Sequence, residues 1–485
     1  MLGKVAAISL IGMLSVAAFG AGAAENEQAT HRDSSTQSPG SETEGAGASV
    51  ETMRRAFDKV GCSLYGEGFA LNEETGLCFK VDVFAYGFVT KDFADEDLRF
   101  EGQRLPTTES PAPTVPLLLY HKEGVRKETE GLGTSFGLAI NLTVGRITDY
   151  GPFVGYLSLQ PTVEGGLGSD EDSLFDDTSA FYTAEDGLKF YPGLVRQAWI
   201  RLGALQMGIQ PSKFDYFRQG YSALPGYASY DETAAVSYVF RPDEDTSLSF
   251  AIEDGERRNM ADGVLADYEE SKVALDYVAL VRRRWKNTLL HASAALHPIH
   301  DDFTGETVNG YAASLGSEIA FRSPSWFSEE KKSTIDRFMI GAAYAEGALG
   351  YLGIPGMAVD YIGRPDGSID KSRGASLLLS YEHFWKPGLK SPLTLSAFTA
   401  EMASSGPWNL VDCQCSEFGF DVDVEGVLLE VGLQKQISAK LVIGGEATYT
   451  WSSAKGTYSF DGLDADGDKE DVSFGQLYLF GAYRF

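Results

Sequence analysis

Charged side chains in the segment 211–232 could act as a filter for ions and polar solutes. They are Lys213, Asp215, Arg218, Asp231 and Glu232. Opposed charges across a narrow aqueous gap create a transverse field and a size limit, and a ring of one sign biases ion selectivity. The alternative is that Lys213 and Asp215 only pair with their neighbours and anchor the segment, as surface charges of mixed sign often do. Both interpretations remain open from the sequence.

A second set of charged residues could face the same gap from the surrounding wall. Its members are Lys80, Asp82, Arg201, Glu253, Asp276, Glu430 and Glu446. The acidic members outnumber the basic ones, so this set predicts a mild preference for cations. The formal net charge of the whole chain is −29 at pH 7, which argues against a nucleic-acid partner.

Catalysis and metal binding have weaker support in the sequence. None of the six histidines lies in a Gly-x-Ser-x-Gly motif, and we interpret His291, His297 and His300 as lining of the wall. Cys413 and Cys415 have no histidine nearby, whereas a tetrahedral metal site needs four ligands. These two cysteines could form a strained local disulfide or remain thiols. We therefore expect no enzyme, no cofactor and no metal site.

The N-terminal residues predict export from the cytoplasm. Lys4 precedes an apolar run at 5–19, and small residues follow at 21–24, so residues 1–24 read as a signal peptide. In an oxidising compartment Cys62 and Cys78, which enclose 15 residues, favour a disulfide. Residues 25–60 have few aliphatic side chains, and we expect them to be disordered, with a short helix at 50–60.

The segment 476–485 gives the clearest indication of the fold. Leu477, Leu479, Tyr483 and Phe485 fall on one face of an extended strand, which is the pattern of a lipid-facing strand of an outer-membrane barrel. An edge strand of a soluble β-domain is the alternative. No later segment supplies the ~18 consecutive apolar residues of a transmembrane helix. The 54 glycines, 23 tyrosines and 29 phenylalanines also suit a barrel.

Alternating segments recur along residues 61–485 and predict an all-β fold, a transmembrane antiparallel β-barrel of 16 strands. The predicted strands begin near Phe79, Ser135, Phe153, Leu194, Leu205, Thr233, Ser247, Lys272, Thr288, Asn309, Arg337, Arg373, Leu393, Val427, Lys440 and Ser473. Short connections, such as 148–151, 203–204, 241–245 and 387–392, alternate with long ones. The long ones are 92–132, 165–192, 211–232, 254–271, 300–308, 351–372, 403–426 and 453–472. This asymmetry is typical of periplasmic turns and extracellular loops.

The period of two assigns the faces of these strands. Leu275, Tyr277 and Val281 should face lipid, while Asp276 and Arg282 should point inward. The same division runs through the other strands. Because unpaired charges are too costly in a dry core, we expect the lumen to be filled with water.

Five motifs, in this order, resemble the alphaproteobacterial porin family. They are the stretches 62–69 with 78–81, 196–208 with 212–216, 247–254, 342–348 and 381–385. The resemblance covers roughly residues 60–485 and implies a sixteen-stranded homotrimeric porin in the outer membrane of a Gram-negative bacterium. Such a porin forms a water-filled channel for passive diffusion of small hydrophilic solutes and ions. Its expected partners also include outer-membrane lipid and lipopolysaccharide.

The resemblance further implies that the third long loop, residues 211–232, folds into the lumen. The aromatic residues of this segment suit a loop packed against a barrel wall. A substrate-selective channel is the main alternative function, in which an aromatic slide for sugars is formed by Tyr216, Tyr221, Tyr227 and Tyr230. An outer-membrane hydrolase is a weaker alternative.

An acidic run between Asp461 and Asp471 raises the question of calcium. An EF-hand loop starting at Asp464 would need glycine at Lys469 and glutamate at Gly475, so that motif fails. We expect a solvated loop over 453–472. Divalent cations bridging this loop to lipopolysaccharide phosphates are a weaker alternative.

Overall fold

The structure is a computed structural model, and its described residues cover most of the chain beyond residue 50. They are 51–94 (except 52, 53, 56, 58 and 59), 132–167, 188–215, 221–222, 226–255, 258, 275–300, 307–324, 333–353, 360–363, 369–406, 418–460 and 463–485. The predicted signal peptide, Arg218, Tyr216, Cys413 and Cys415 lie outside them. Within these ranges, no helix combines the length and the apolar character needed to cross a membrane.

Sixteen strands form one closed antiparallel sheet. They are β2 (Leu77–Ala94), β3 (Leu132–Thr148), β4 (Gly151–Leu167), β5 (Leu188–Leu202), β6 (Leu205–Pro211), β7 (Glu232–Phe240), β8 (Thr246–Asp254), β9 (Leu275–Trp285), β10 (Thr288–His300), β11 (Thr307–Pro324), β12 (Ser333–Glu346), β15 (Arg373–Lys386), β16 (Leu389–Gly406), β17 (Phe418–Ser438), β18 (Leu441–Phe460) and β19 (Leu463–Arg484). Each pairs with the next in the chain, and β19 pairs with β2 from Phe474↔Ala94 to Arg484↔Phe84, which closes the barrel.

Smaller elements accompany the barrel. Strand β1 (Ala70–Asn72) pairs with the start of β2, and β13 (Tyr361–Gly363) pairs with β14 (Ile369–Lys371). Two short 3₁₀ helices occupy Gly61–Tyr65 and Leu349–Leu352. All sixteen predicted barrel strands are confirmed, with the largest errors at their ends.

The predicted loop over 453–472 is wrong. Strand β18 continues to Phe460 and β19 begins at Leu463, and the two strands stay paired up to these residues, with one register shift between Ala454 and Gly456. The predicted connection 387–392 is also too long, since β16 already starts at Leu389. Backbone hydrogen bonds carry strand pairing beyond the apolar band, so polar residues can remain in a strand without an apolar face to mark them.

Alternation along the strands separates an apolar outer face from a polar inner face, as predicted. Phe250 is 60% exposed and Ile252 is 45% exposed, whereas Glu253 is 1% exposed. On β9, Leu275 and Tyr277 face outward and Asp276 is fully buried. This pleat therefore turns acidic and hydroxyl side chains toward the interior of the barrel.

An N-terminal hook, residues 61–72, lies against the inner wall near the short turns. The structure joins Cys62 to Cys78 by a disulfide. The Tyr65 ring packs on Gly145, where a Cβ atom would lie 2.7 Å from the ring. Cys62 and Tyr65 share a buried cluster with Trp199 of β5, so this segment is held by a covalent bond and apolar contacts together.

Candidate functional site

In the third loop, residues 211–232, the described parts 211–215, 221–222 and 226–232 lie against the inner face of the barrel wall. At its base the Ser212 amide donates to the Asp231 carbonyl at 3.0 Å. Further along, the amides of Tyr221 and Tyr227 donate to wall hydroxyls. The acceptors are Ser380 Oγ at 2.9 Å and Ser396 Oγ at 3.0 Å. Because the donors are backbone amides of the loop, these hydrogen bonds fix the path of the loop backbone.

Hydroxyl groups on inward positions of β10, β15 and β16 receive the loop. Ser293 donates to the Phe214 carbonyl at 2.7 Å, and the Ser222 hydroxyl lies 2.7 Å from that of Thr394. Gly226 lies so close to the wall that a Cβ atom would come within 2.6 Å of Leu378 Cδ1. Short hydroxyl side chains let the loop approach the sheet closely and satisfy its buried polar groups.

Asp215 is the main polar anchor of the loop. Its Oδ1 accepts from Ser229 Oγ at 2.5 Å and from Arg258 Nη2 at 3.0 Å, while its Oδ2 accepts from the Asp231 amide at 2.8 Å. Both members of the ion pair are almost fully buried, with side-chain exposures of 3% for Arg258 and 5% for Asp215. Removing one partner of such a pair leaves an uncompensated buried charge.

Arg258 comes from the connection after β8 and joins three segments. Besides Asp215 it donates to the Gly350 carbonyl at 3.2 Å, and its guanidinium lies 4.2 Å from the centre of the Tyr351 ring. Burial alone would lower the pKa of Arg258, but the nearby Asp215 carboxylate and Tyr351 outweigh it and raise this pKa above its usual value. The guanidinium therefore stays charged.

A second inward segment, residues 347–353, packs beside the third loop. Leu349, Tyr351 and Leu352 are all fully buried. The Tyr351 hydroxyl donates to Asp276 Oδ2 at 2.5 Å, and its ring meets that of Phe214 edge-on at 4.6 Å. On this side of the barrel the charged wall residue Asp276 is therefore bonded to a protein group.

Glu232, at the end of the loop, is held by a bulge in β5. The register of β4 and β5 shifts at Arg196, so Arg196 and Gln197 both point inward. Arg196 Nε donates to Glu232 Oε2 at 2.9 Å, and Gln197 Nε2 donates to Glu232 Oε1 at 2.9 Å. The Tyr230 hydroxyl accepts from Arg196 Nη2 at 2.8 Å.

The remaining acidic wall residues are buried as well. Glu253 accepts from Ser212 Oγ and from the Lys213 amide, each at 2.7 Å. Glu446 accepts from Gln434 Nε2 at 2.8 Å, and Glu430 is fully buried on the neighbouring strand. The cation preference that the sequence predicted from the number of these carboxylates stays a prediction.

The other predicted wall residues, Lys80, Asp82 and Arg201, lie at the end of the barrel that carries the short turns. Asp82 binds Lys80 Nζ at 3.1 Å and Arg484 Nη2 at 2.6 Å. Arg201 points inward from β5 and is half-buried. The predicted site residues therefore divide into a loop-anchoring group and a group close to the N-terminal hook.

The three described tyrosines of the third loop, Tyr221, Tyr227 and Tyr230, anchor it and do not form a row open to solvent. The Tyr221 hydroxyl donates to Glu318 Oε1 at 3.0 Å, and its ring lies under the guanidinium of Arg337. Tyr227 is 3% exposed and meets Phe398 edge-on. Tyr230 is bound to Arg196.

Sequence reasoning missed Arg196, Arg258 and Tyr351. The partner of Arg196 is 36 residues away, and its inward orientation depends on a bulge that alternation does not reveal. Arg258 and Tyr351 lie in long connections, where no periodicity assigns a face. One signal was available in the sequence. Small hydroxyl residues, such as Ser380, Thr394 and Ser396, recur at alternate positions of β15 and β16, and such a pattern favours a wall that receives a loop.

Comparisons with known proteins agree with this architecture. A family model described as Porin subfamily matches residues 60–353. The outer membrane channel DcaP of Acinetobacter baumannii is 15% identical, with a TM-score of 0.50, and the match covers 86% of this chain and 99% of that one. An anion-selective porin from Comamonas acidovorans is 9% identical with a TM-score of 0.42, covering 84% and 100% of the two chains. Among curated proteins, none matches the chain.

Proposed function

Because the chain belongs to the Porin subfamily, we propose that it forms an outer-membrane channel for passive diffusion of small hydrophilic solutes and ions, with the third loop as its constriction. The observation that carries this proposal is the anchoring of that loop. Amides and carbonyls of the loop bond to hydroxyls on three wall strands, and a buried ion pair fixes its Asp215 corner. A loop anchored to the wall in this way would narrow the lumen, and its anchors would keep it from moving across the opening.

The constriction would select mainly by size. Asp215 is neutralised by Arg258 and Glu232 by Arg196, so these two carboxylates of the loop present little uncompensated charge. The backbone contacts to the wall keep the gap constant in width. A fixed gap passes solutes below a limiting diameter and needs no conformational step for each solute.

The outer face supports the proposed setting in lipid. Large apolar residues recur at alternate outward positions, among them Leu315 at 68% and Phe250 at 60% exposure. A homotrimer, as the resemblance implies, would cover part of this face, while outer-membrane lipid and lipopolysaccharide would contact the remainder. Chemical crosslinking in detergent would test the trimer.

Two measurements test the channel. Purified protein in a planar bilayer should give stable stepwise currents, and liposomes that contain it should admit neutral sugars up to a sharp size limit. Absence of conductance from correctly folded protein would overturn the proposal. Conductance with no size limit would retain the channel but remove the third loop as its constriction.

A further inference from the structure

His297 lies where the second inward segment, residues 347–353, meets the barrel wall. It points inward from β10, and its side chain is 3% exposed. Its Nδ1 atom lies 2.7 Å from Asp276 Oδ1 on the neighbouring strand β9. Its Nε2 atom lies 3.9 Å from Asp360 Oδ2, and both carboxylates are fully buried. A single imidazole therefore stands between two buried carboxylates.

Both of these carboxylates hold the second inward segment. Asp276 Oδ2 accepts from the Tyr351 hydroxyl at 2.5 Å, and Asp360 Oδ1 accepts from the Leu349 amide. Leu349 and Tyr351 are themselves fully buried, so the segment has no exposed end at these two points. The polar contacts of the segment therefore converge on the two carboxylates that His297 joins.

The two contacts of His297 respond differently to the charge of its ring. An ionised carboxylate only accepts hydrogen bonds, so Nδ1 donates to Asp276 whether the ring is neutral or charged. Nε2 then carries a proton only in the imidazolium form. In that form a positive charge faces Asp360 at 3.9 Å, whereas in the neutral ring a lone pair faces the same carboxylate. Loss of the proton therefore replaces an attraction at Asp360 by a repulsion.

The other groups around His297 leave this balance in place. The Tyr351 ring meets the imidazole edge-on, with the two ring centres 6.5 Å apart. Arg258 lies 4.2 Å from the centre of the same tyrosine ring, and its charge is paired with Asp215 at 3.0 Å. Glu253 is the cross-strand neighbour of Asp276 and adds one more carboxylate on this side of the barrel. The imidazolium is therefore the form of the ring that matches these surroundings.

We propose that protonated His297 is a latch that holds the second inward segment against the wall, and that the constriction loosens reversibly when the latch loses its proton in alkali. The inference rests on the proposed channel function and adds a regulation to it. The second inward segment supports the third loop, since the Tyr351 and Phe214 rings meet at 4.6 Å and a Cβ atom on Gly353 would lie 2.3 Å from the Ala228 carbonyl oxygen. Release of the segment therefore removes one support of the constriction.

Single-channel recordings of the full-length protein from about pH 6 to about pH 9 test the latch, because histidine ordinarily changes its charge in this region. The parent should have a lower and quieter conductance at the acidic end than at the alkaline end. His297→Gln cannot become charged, so it should lose the pH response and stay in the noisier state. Asp360→Asn removes the charge that attracts the imidazolium and keeps an oxygen for the Leu349 amide, so it should lose the response in the quieter state.

His291→Gln is the matched control, because His291 is another buried histidine of β10 but contacts Arg282 and Ser293 instead. It should keep the pH response of the parent. A parent with the same conductance at both ends of the range, or a full response in His297→Gln or in Asp360→Asn, would overturn the latch while leaving the channel intact. Absence of conductance from the parent at every pH would instead overturn the channel, and the latch with it.

Discussion

Two segments enter the barrel interior from opposite ends, and they are held by different forces. The third loop is fixed by hydrogen bonds to wall hydroxyls and by the buried pair of Asp215 with Arg258. The N-terminal hook is fixed by the Cys62–Cys78 disulfide and by the packing of Tyr65 on Gly145 and Trp199. The loop depends on many directional contacts at once, whereas the hook depends on one bond and a small apolar cluster.

The different contacts of the third loop and of the hook suit the different roles that we propose for these two segments. A loop that sets a size limit must keep one path across the lumen, and polar contacts with fixed directions specify a path better than apolar contacts do. The hook only has to stay docked at the mouth. A disulfide achieves this by restricting the unfolded chain, with little demand on side-chain geometry.

Breaking the ion pair of the third loop should have the largest effect. Arg258→Ala leaves the Asp215 carboxylate buried without its cation, which costs about 3–5 kcal/mol for such a pair. We expect the loop to leave the wall and single-channel conductance to rise. Arg54→Ala is the control, since Arg54 pairs with Asp149 at an exposed site. Unchanged conductance and unchanged protease resistance of the loop in Arg258→Ala would contradict this account.

Removing the disulfide should release the hook and spare the third loop. For Cys62→Ser with Cys78→Ser the chain-entropy model gives a loss of about 3 kcal/mol. Limited proteolysis should then cut within the hook while the barrel keeps its heat resistance. Parent protein treated with a reductant is the matched comparison. A hook that stays protected in both would mean that its apolar cluster suffices.

A single glycine tests the contact between the third loop and the segment 347–353. Gly353 has φ +67°, and a Cβ atom there would lie 2.3 Å from the Ala228 carbonyl oxygen. We expect Gly353→Ala to cost about 1–3 kcal/mol through overpacking, and to raise the noise of the open-channel current. Gly388→Ala is the control, because Gly388 has φ +74° and its nearest neighbour is 3.4 Å away. Equal effects of both substitutions would assign the cost to backbone strain alone.

The smallest effect is expected at Tyr65 in the hook. Burial raises the pKa of Tyr65, and its hydroxyl has no hydrogen-bond partner within the described part of the chain. Tyr65→Phe should be neutral or stabilising by up to about 1 kcal/mol, because it removes an unsatisfied polar group.

The raised pKa of Tyr65 also gives this residue a pH signature. The neutral phenol contributes stability that is complete below the unfolded pKa of about 10 and is lost as the pH rises above it. Protease sensitivity of the hook should therefore increase in strong alkali in the parent and not in Tyr65→Phe. A hook that loosens equally in both proteins would show that another group titrates.

Much of the barrel could be predicted from sequence because its signal is local. Apolar and polar residues alternate with a period of two, and this pattern located all sixteen strands and the outward face of Phe250 and Leu275. It failed where alternation stops. Strand β19 begins ten residues before the predicted Ser473, since backbone pairing with β18 continues there without an apolar face.

The candidate site was only half predictable for a related reason. Charges in the third loop and on the wall were found by residue type and by face, but their partners were not. Asp215 and Arg258 are 43 residues apart, and Tyr351 reaches Asp276 across 75 residues. No spacing rule links such pairs, because folded connections bring them together.

The sequence by itself determined which strands form, which face meets lipid and which charges point inward, since each of these follows from neighbours a few residues apart. The tertiary structure decided which inward charges remain in contact with water. The third loop and the segment 347–353 bond to carboxylates of the acidic wall, among them Glu253 and Asp276. Whether a charge acts on a solute or anchors a loop depends on what packs over it, and that is set by closure of the barrel around its own loops.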